Sequence, residues 1–111
     1  MDEIRSYQDL RAWQTGRVLV KAIYEATAAF PPDERFGLTA QVRRAAVSVP
    51  SNVAEGYGRG TRKDYIHFLQ TARGSLYEME TQVILADDLG FFSAPDVPRT
   101  LLMKSGECSR I

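Results

Sequence analysis

The sequence has little of the chemistry on which most active sites depend. It contains one cysteine, Cys108, and one histidine, His67, among 111 residues. A single cysteine excludes an intramolecular disulfide and any site built from several thiolates. The histidine has no second histidine or cysteine at metal-ligand spacing, so we expect it to face solvent. The sequence therefore predicts no metal site and no cofactor.

Long hydrophobic runs are also missing. No apolar run approaches the ~18 to 20 residues needed to cross a bilayer, and the first ten residues lack the basic start and apolar centre of a secretory signal. We therefore expect a cytoplasmic protein with no membrane partner. Hydrophobic residues make up 44% of the chain and charged residues 25%. This composition predicts one globular domain over residues 1–111.

Paired groups for acid/base or nucleophilic catalysis are absent as well. Glu78 and Glu80 are two residues apart and Asp87 and Asp88 are adjacent, so each pair points to different faces of a helix. The serines and threonines have no histidine placed to activate them. The glycine-rich run at 56–60 lacks the Gly-Lys-Ser/Thr ending of a phosphate-binding loop. We expect no enzymatic activity and no small-molecule substrate.

Apolar residues recur at helical spacing through most of the chain. Steps of three and four residues predict helix 1 over about residues 7–29, helix 2 over about 36–55 and helix 3 over about 62–89. Ser6 with Asp9, and Thr61 with Asp64, have the spacing of capping boxes. Gly90 is expected to end helix 3. A shorter helix 4 follows, with Pro95 and Pro98 near its start.

No segment alternates with a period of two, and the connections are short, so successive helices are expected to be antiparallel neighbours. The sequence predicts an all-α fold: an antiparallel up-down-up-down four-helix bundle with a kinked helix 2, a long helix 3 and a short helix 4. The residues expected to form its core are Leu69, Ala72, Leu76, Met79 and Val83 on helix 3, with Trp13, Val20, Val42 and Val49.

Helix 2 contains an interior proline and is followed by three closely spaced glycines. An interior proline costs about 3 kcal/mol in a regular helix, so Pro50 predicts a bend with freed carbonyls near residues 46 and 47. Polar side chains in the kinked half, Ser48, Asn52 and Glu55, are expected to meet those freed backbone groups. The glycines that follow predict a tight turn into helix 3. This structural motif comprises Pro50, Asn52, Glu55, Gly56, Gly58 and Gly60.

The charges balance overall but not along the chain. Fourteen Lys and Arg residues match fourteen Asp and Glu residues, yet residues 35–73 carry seven basic and two acidic groups between flanks that are net acidic. This basic third is either a polyanion-binding surface or one half of ion pairs between neighbouring helices or subunits. The cations that carry either interpretation are Arg43, Arg44, Arg59, Arg62, Lys63 and Arg73.

These cations fall into two predicted groups. Pairing helices 2 and 3 about the glycine turn brings Arg43 and Arg44 near Arg73 and within one turn of Glu78, which predicts ion pairs between the two helices. The remaining three, Arg59, Arg62 and Lys63, are called the turn cations below. They crowd the turn between helices 2 and 3, with Asp64 as their near acidic neighbour, and make that end of the bundle positive.

Three segments carry a resemblance to a known family: YQDLRAWQ at 7–14, a long segment from RFGLTAQVRR to GSLYEMETQ at 35–82, and ADDLGFFS at 86–93. Together they are similar, over about residues 6–93, to the four-helix bundle family named for 23S rRNA intervening sequences. The positions that fit the family pattern include Arg35, Gly37, Leu38, Gln41, Arg43, Arg44, and residues 48–52, 54–56, 58–60 and 72–75.

The resemblance implies a four-helix protomer that assembles into a ring, commonly a homopentamer. The chain is also similar to the accessory variability determinant of diversity-generating retroelements, a basic pentameric barrel that binds a reverse transcriptase and nucleic acid. Family members usually continue helix 4 past a segment like Ser109-Arg110-Ile111, where this sequence ends. We therefore expect a short helix 4, with helix 4 or the loops reaching a neighbouring subunit.

Two function classes follow. The first is a non-catalytic, ring-forming scaffold that binds nucleic acid, or a nucleic-acid enzyme such as a reverse transcriptase, through the six candidate cations. The second is a purely protein-interacting structural oligomer, in which those cations pair with acidic residues across subunit interfaces. Salt dependence separates the two, because binding through phosphate contacts weakens steeply with salt while a packed oligomer persists.

Overall fold

The computed structural model describes residues 3–109, and every regular element in that range is helical. Two short 3₁₀ turns, Tyr7–Asp9 and Pro32–Glu34, lead into the first two α-helices. The α-helices in chain order are α1 (Arg11–Thr27), α2 (Leu38–Gly58), α3 (Arg62–Asp88) and α4 (Asp96–Cys108).

The helices form the predicted four-helix bundle. α1 packs against α2 and α4, and α3 packs against α2 and α4, while the diagonal pairs α1–α3 and α2–α4 make no close backbone contact within the described range. This is the arrangement of an up-down-up-down bundle. The long α3 and short α4 are also confirmed: α3 has 27 residues and α4 has 13. The α2–α3 turn defines one end of the bundle, called the turn end below.

The first helix begins later than its pattern predicts. The Ser6–Asp9 capping box is present, with Ser6 Oγ accepting from the backbone of Gln8 at 3.2 Å and Asp9 Oδ2 accepting from the backbone of Ser6 at 3.2 Å. It caps the 3₁₀ turn, however, and Leu10 then adopts an extended backbone with ψ 129°. The α-helix therefore starts only at Arg11.

α2 ends later than predicted because two of the three glycines do not break it. Gly56 and Gly58 both lie within the helix, and only Gly60, with φ +81°, has a backbone that disfavours other residues. The prediction that Gly56 and Gly58 interrupt the chain was wrong. Residues 59–61 make the turn, and Thr61 Oγ1 then caps α3 by accepting from the backbone of Asp64 at 3.2 Å.

Pro50 lies inside α2, and neighbouring side chains bond to nearby carbonyls. Asn52 Nδ2 donates to the Ser48 carbonyl at 2.7 Å, which is not one of the carbonyls expected at residues 46 and 47. The Val47 carbonyl accepts a hydrogen bond from Ser51 Oγ at 2.8 Å, a residue that the prediction did not name. Across the bundle, Pro50 packs against Gly16 of α1, where an added β-carbon would lie 3.3 Å from the proline ring. The small residue on α1 gives the proline room.

Gly90 ends α3 as predicted. It has φ +75°, and its N–H donates to the Asp87 carbonyl at 3.0 Å. The next residue, Phe91, donates from its N–H to the Ala86 carbonyl at 3.0 Å. These two hydrogen bonds form a Schellman motif, which satisfies carbonyls that the helix end would otherwise leave unpaired.

The core includes the predicted stripe of α3, but the side of α1 that faces the core differs from the predicted one. Trp13 and Val20 are only half-buried, whereas Ala12 and Leu19 turn inward. Leu69 is half-buried too and packs against the core from the turn end. Large side chains with less than 2% exposure include Leu19, Ile23, Val42, Val49, Val53, Leu76, Met79 and Val83.

Candidate functional site

The six candidate cations lie in three separate places. Arg43 and Arg44 lie on α2 along the α1 side, the turn cations lie at the turn end, and Arg73 lies on α3 beside the end of α4. The structure therefore does not gather the six cations into one surface. Arg73 lines a small cleft of about 120 Å³ with Ile66, Leu69 and Ser109.

Arg43 fastens α2 to α1. Its Nε donates to Thr27 Oγ1 at 2.9 Å, and its Nη2 donates to the Tyr24 carbonyl at 3.3 Å. The guanidinium also stacks 4.4 Å from the centroid of the Tyr24 ring. Thr27 is 2% exposed, so Arg43 completes a buried contact between the two helices.

The predicted ion pairs between α2 and α3 do not form. Among residues 3–109 the salt bridges join Arg5 to Glu3, Lys21 to Glu25 and Arg59 to Glu55, and none of them links two helices. The facing α2 and α3 surfaces instead meet through hydroxyl groups, with Ser48 Oγ and Ser75 Oγ 2.8 Å apart. Arg43 and Arg44 lie on the side of α2 that faces α1, where Arg43 contacts Thr27 and Tyr24, so they are not presented to α3.

The turn cations are not equivalent. Arg59 Nη2 lies 2.7 Å from Glu55 Oε2, and its guanidinium lies 5.1 Å from the centroid of the Phe68 ring. The hydrogen bond that Arg59 donates to Glu55, and then the charge of Glu55, raise the pKa of Arg59. Sequence reasoning named Asp64 as the near acidic neighbour of these cations; the direct partner of Arg59 is Glu55.

Arg62 and Lys63 remain free for an external anion. Both are exposed in the first turn of α3, and neither makes a salt bridge or a side-chain hydrogen bond with another residue of the described range. The N-terminus of a helix carries a partial positive charge, so two cations there are locally unfavourable. The same field adds to their attraction for a phosphate.

A larger cationic surface lies between α1 and α2. Two adjoining cavities of about 510 and 600 Å³ share Tyr24 and Val47, and together they form what we call the cationic groove. No carboxylate lines either cavity within the described part of the chain. The apolar floor of the groove is formed by Trp13, Val20, Tyr24, Val47, Pro50 and Ala54, and its cations are Arg17, Lys21, Arg35, Arg43 and Arg44.

Sequence reasoning missed three of these cations: Arg17, Lys21 and Arg35. The signal was present, because Arg17 and Lys21 are four residues apart and share a helix side with Trp13 and Tyr24. Arg17 lies 5.6 Å from the centroid of the Trp13 ring. The groove itself is made by two helices, so no single-helix pattern could reveal it.

The histidine, His67, and the cysteine, Cys108, do not lie in a catalytic or metal-binding arrangement within the described residues. His67 is exposed, as predicted, with its ring 5.3 Å from that of Phe68. Cys108 is 1% exposed, and burial raises the pKa of its thiol. No group of His, Cys, Asp or Glu residues between 3 and 109 could hold a metal ion. No helix in this range is both long enough and apolar enough to span a bilayer.

Comparison with known proteins agrees with the geometry. The family model described as "23S rRNA-intervening sequence protein" matches residues 8–111, which includes α4 and the last two residues, outside the described range. No curated protein matches the chain at a significant level. With nearly the whole sequence matched and the four-helix bundle observed, the chain belongs to the 23S rRNA-intervening sequence protein family.

Proposed function

We propose that this protein is a non-catalytic scaffold that assembles with itself and binds nucleic acid through the turn end. The observation that carries the proposal is that Arg62 and Lys63 lie exposed near Arg59, and that neither has a carboxylate partner among residues 3–109. The family resemblance supports a cyclic homo-oligomer, most often a pentamer. A cytoplasmic location and the absence of a cofactor and small-molecule substrate remain predictions from the sequence.

A positive turn end is compatible with a neutral chain. The formal net charge is 0 at pH 7, but charges in solvent are screened over about 8 Å at physiological salt. The acidic residues of the distant helix segments therefore contribute little to the field at this end. Repeating the turn cations around one rim of a ring would multiply the local field, so binding is expected to be weak and independent of base sequence.

The test is the binding of a fluorescent single-stranded oligonucleotide and of a duplex, followed by anisotropy. Replacing all three turn cations by Gln should lower affinity at least tenfold at low salt without changing the oligomer's mass. The matched control replaces Arg99 and Lys104 of α4 by Gln, which should leave affinity within about twofold. No binding by the parent protein at low salt, or equal binding by the triple variant, would refute a nucleic-acid role.

A purely protein-interacting oligomer is the second candidate. The apolar floor of the cationic groove favours it, since nucleic-acid phosphates do not need a floor of Val20, Pro50 and Ala54. Under this alternative the assembly persists at high salt and no oligonucleotide binds. A reverse transcriptase is one partner that the resemblance implies, and co-purification of the two proteins after co-expression would test it.

A further inference from the structure

The cationic groove has the character of a helix-binding site. Its floor leaves Tyr24 44% exposed and Val47 40% exposed, more than a closed core would allow. Its cations lie on the α1 wall in the first cavity, and on the α2 wall and the loop before it in the second; carboxylates are missing from the lining that the structure describes. An apolar floor bordered by cations fits an amphipathic helix with acidic residues beside its apolar stripe.

This chain carries a surface of that description on α3. Residues 74–98 contain no Lys or Arg, although they contain five acidic residues. Along the outer side of α3, Tyr77 is 53% exposed, Ile84 is 49% exposed and Leu85 is 47% exposed. Tyr77, Ile84 and Asp88 follow one stripe of the helix, and Glu78 borders it. We call this surface the acidic face.

The negative charge at the C-terminal end of α3 has no basic residue beside it in the last turn of the helix. Asp87 and Asp88 lie in the last turn of the helix, where the dipole disfavours carboxylates, and that turn contains no basic residue. Both side chains are exposed and make no salt bridge with another residue between 3 and 109. A cation from outside the chain would relieve this conflict.

The acidic face is short enough to lie along the groove. The groove follows α1 from Trp13 to Tyr24 and α2 from Thr39 to Ala54, and the acidic face follows α3 from Tyr77 to Asp88. At 1.5 Å per residue, the α1 and α3 segments are each about 16 Å long and the α2 segment is about 22 Å long. Both helices are already folded and packed on one side, so their contact requires little additional ordering.

Within one copy the two surfaces do not face each other, because the groove opens between α1 and α2 while the acidic face lies on the exposed side of α3. We propose that the acidic face of one copy binds in the cationic groove of the next copy. Such a contact joins two different surfaces, and repeating it produces a ring or an open filament. The proposal rests on the self-assembly in the proposed function and names the contact that produces it. Arg44 then serves assembly, while Arg62 and Lys63 stay available to nucleic acid.

Charge reversal on each surface tests this contact by sedimentation velocity at micromolar concentration. The groove variant carries Arg17→Glu and Arg44→Glu, and the face variant carries Asp87→Lys and Asp88→Lys. Each variant alone should self-associate at least tenfold more weakly than the parent protein. A chain with all four changes should recover the parent mass, because the attraction is restored with opposite signs. Glu78 is left in place because it accepts a hydrogen bond from Gln82.

The controls separate assembly from folding. Lysines at Asp87 and Asp88 suit the end of a helix, so the face variant should keep the helical circular-dichroism signal of the parent protein under the conditions of sedimentation. A loss of mass with that signal intact cannot come from unfolding, even if weaker assembly lowers the melting temperature. The variant with Gln at the turn cations should keep the parent mass. A parent protein that is monomeric would contradict self-assembly itself, and with it this contact.

Two further outcomes would contradict this contact alone. In the first, the parent assembles and either double variant keeps its mass, or the fourfold variant fails to recover it. In the second, the groove variant keeps its mass but loses oligonucleotide binding, which would assign the groove to nucleic acid.

Discussion

Gly56 on α2 lies so close to Phe68 on α3 that a β-carbon at Gly56 would be 2.6 Å from the Cβ of Phe68. Both atoms are near the backbone, so neither can swing away. The glycine is therefore required for the close approach of the two helices next to the turn, and its conformational freedom is not used, since it has an ordinary helical φ.

This approach predicts opposite signs for two Gly→Ala substitutions in the same helix. Gly56→Ala should destabilise the fold by about 1–3 kcal/mol because it overpacks the contact. In the described part of the chain no atom lies within 4 Å of a β-carbon added at Gly58, so Gly58→Ala should stabilise the fold by about 0.5–1 kcal/mol through helix propensity. Urea unfolding of both variants measures the pair. A Gly56→Ala protein as stable as the parent would show that the helices can move apart freely.

Leu76 tests the position of the core. It is fully buried on the stripe of α3 that faces the other helices, and Leu76→Ala should lower the free energy of unfolding by about 2–5 kcal/mol. The matched control is Val18→Ala on α1, where the side chain is 56% exposed; its effect should stay within about 0.5 kcal/mol. A loss below about 1 kcal/mol for Leu76→Ala would place the stripe on the wrong face.

Arg43 and Arg44 are adjacent but should behave differently in unfolding. Arg43→Gln removes the hydrogen bonds to Thr27 and Tyr24 and should destabilise by about 1–3 kcal/mol. Arg44→Gln removes no contact of this kind in the described range. Because both arginines line the cationic groove, an effect on self-assembly would be common to both, and the difference between their melting curves isolates the α1–α2 contact. Equal effects would contradict a structural role for Arg43.

Cys108 predicts how stability changes in mild alkali. Burial raises the pKa of its thiol in the folded protein, so the folded state binds the proton more tightly than the unfolded state. The stability from this difference is complete below the ordinary thiol pKa of about 8.5 and is lost as the pH rises through the raised value. Denaturant unfolding from pH 7 to pH 9.5 should show this loss, and Cys108→Ala should flatten it. A pH-independent parent protein would contradict the buried neutral thiol.

The fold was predictable because its signals are local. The stripe on α3, the Thr61 cap and the Gly90 terminus depend on residues within a turn or two of each other, and each lies where its pattern placed it. The side of α1 that is buried was not predictable from the sequence. Trp13 and Leu19 are both apolar, and only packing decides which of them is buried.

The candidate site was harder to predict for a related reason. The partners of Arg43 lie on α1, so they depend on which side of α2 faces α1, and only the packing of the helices decides this. The pairing of Arg59 with Glu55 was accessible from the four-residue spacing alone. The cationic groove could not be predicted from spacing, because its two walls come from separate helices.

The central claim is that one protein both assembles with itself and binds nucleic acid through its turn end. Sedimentation velocity of the parent protein with a labelled oligonucleotide, at about 50 mM and about 200 mM salt, measures both properties in one experiment. We predict the same protein oligomer at both salt concentrations, with the oligonucleotide co-sedimenting at the lower one and released at the higher one. A monomer at either concentration, or an oligonucleotide that sediments alone at low salt, would contradict the claim.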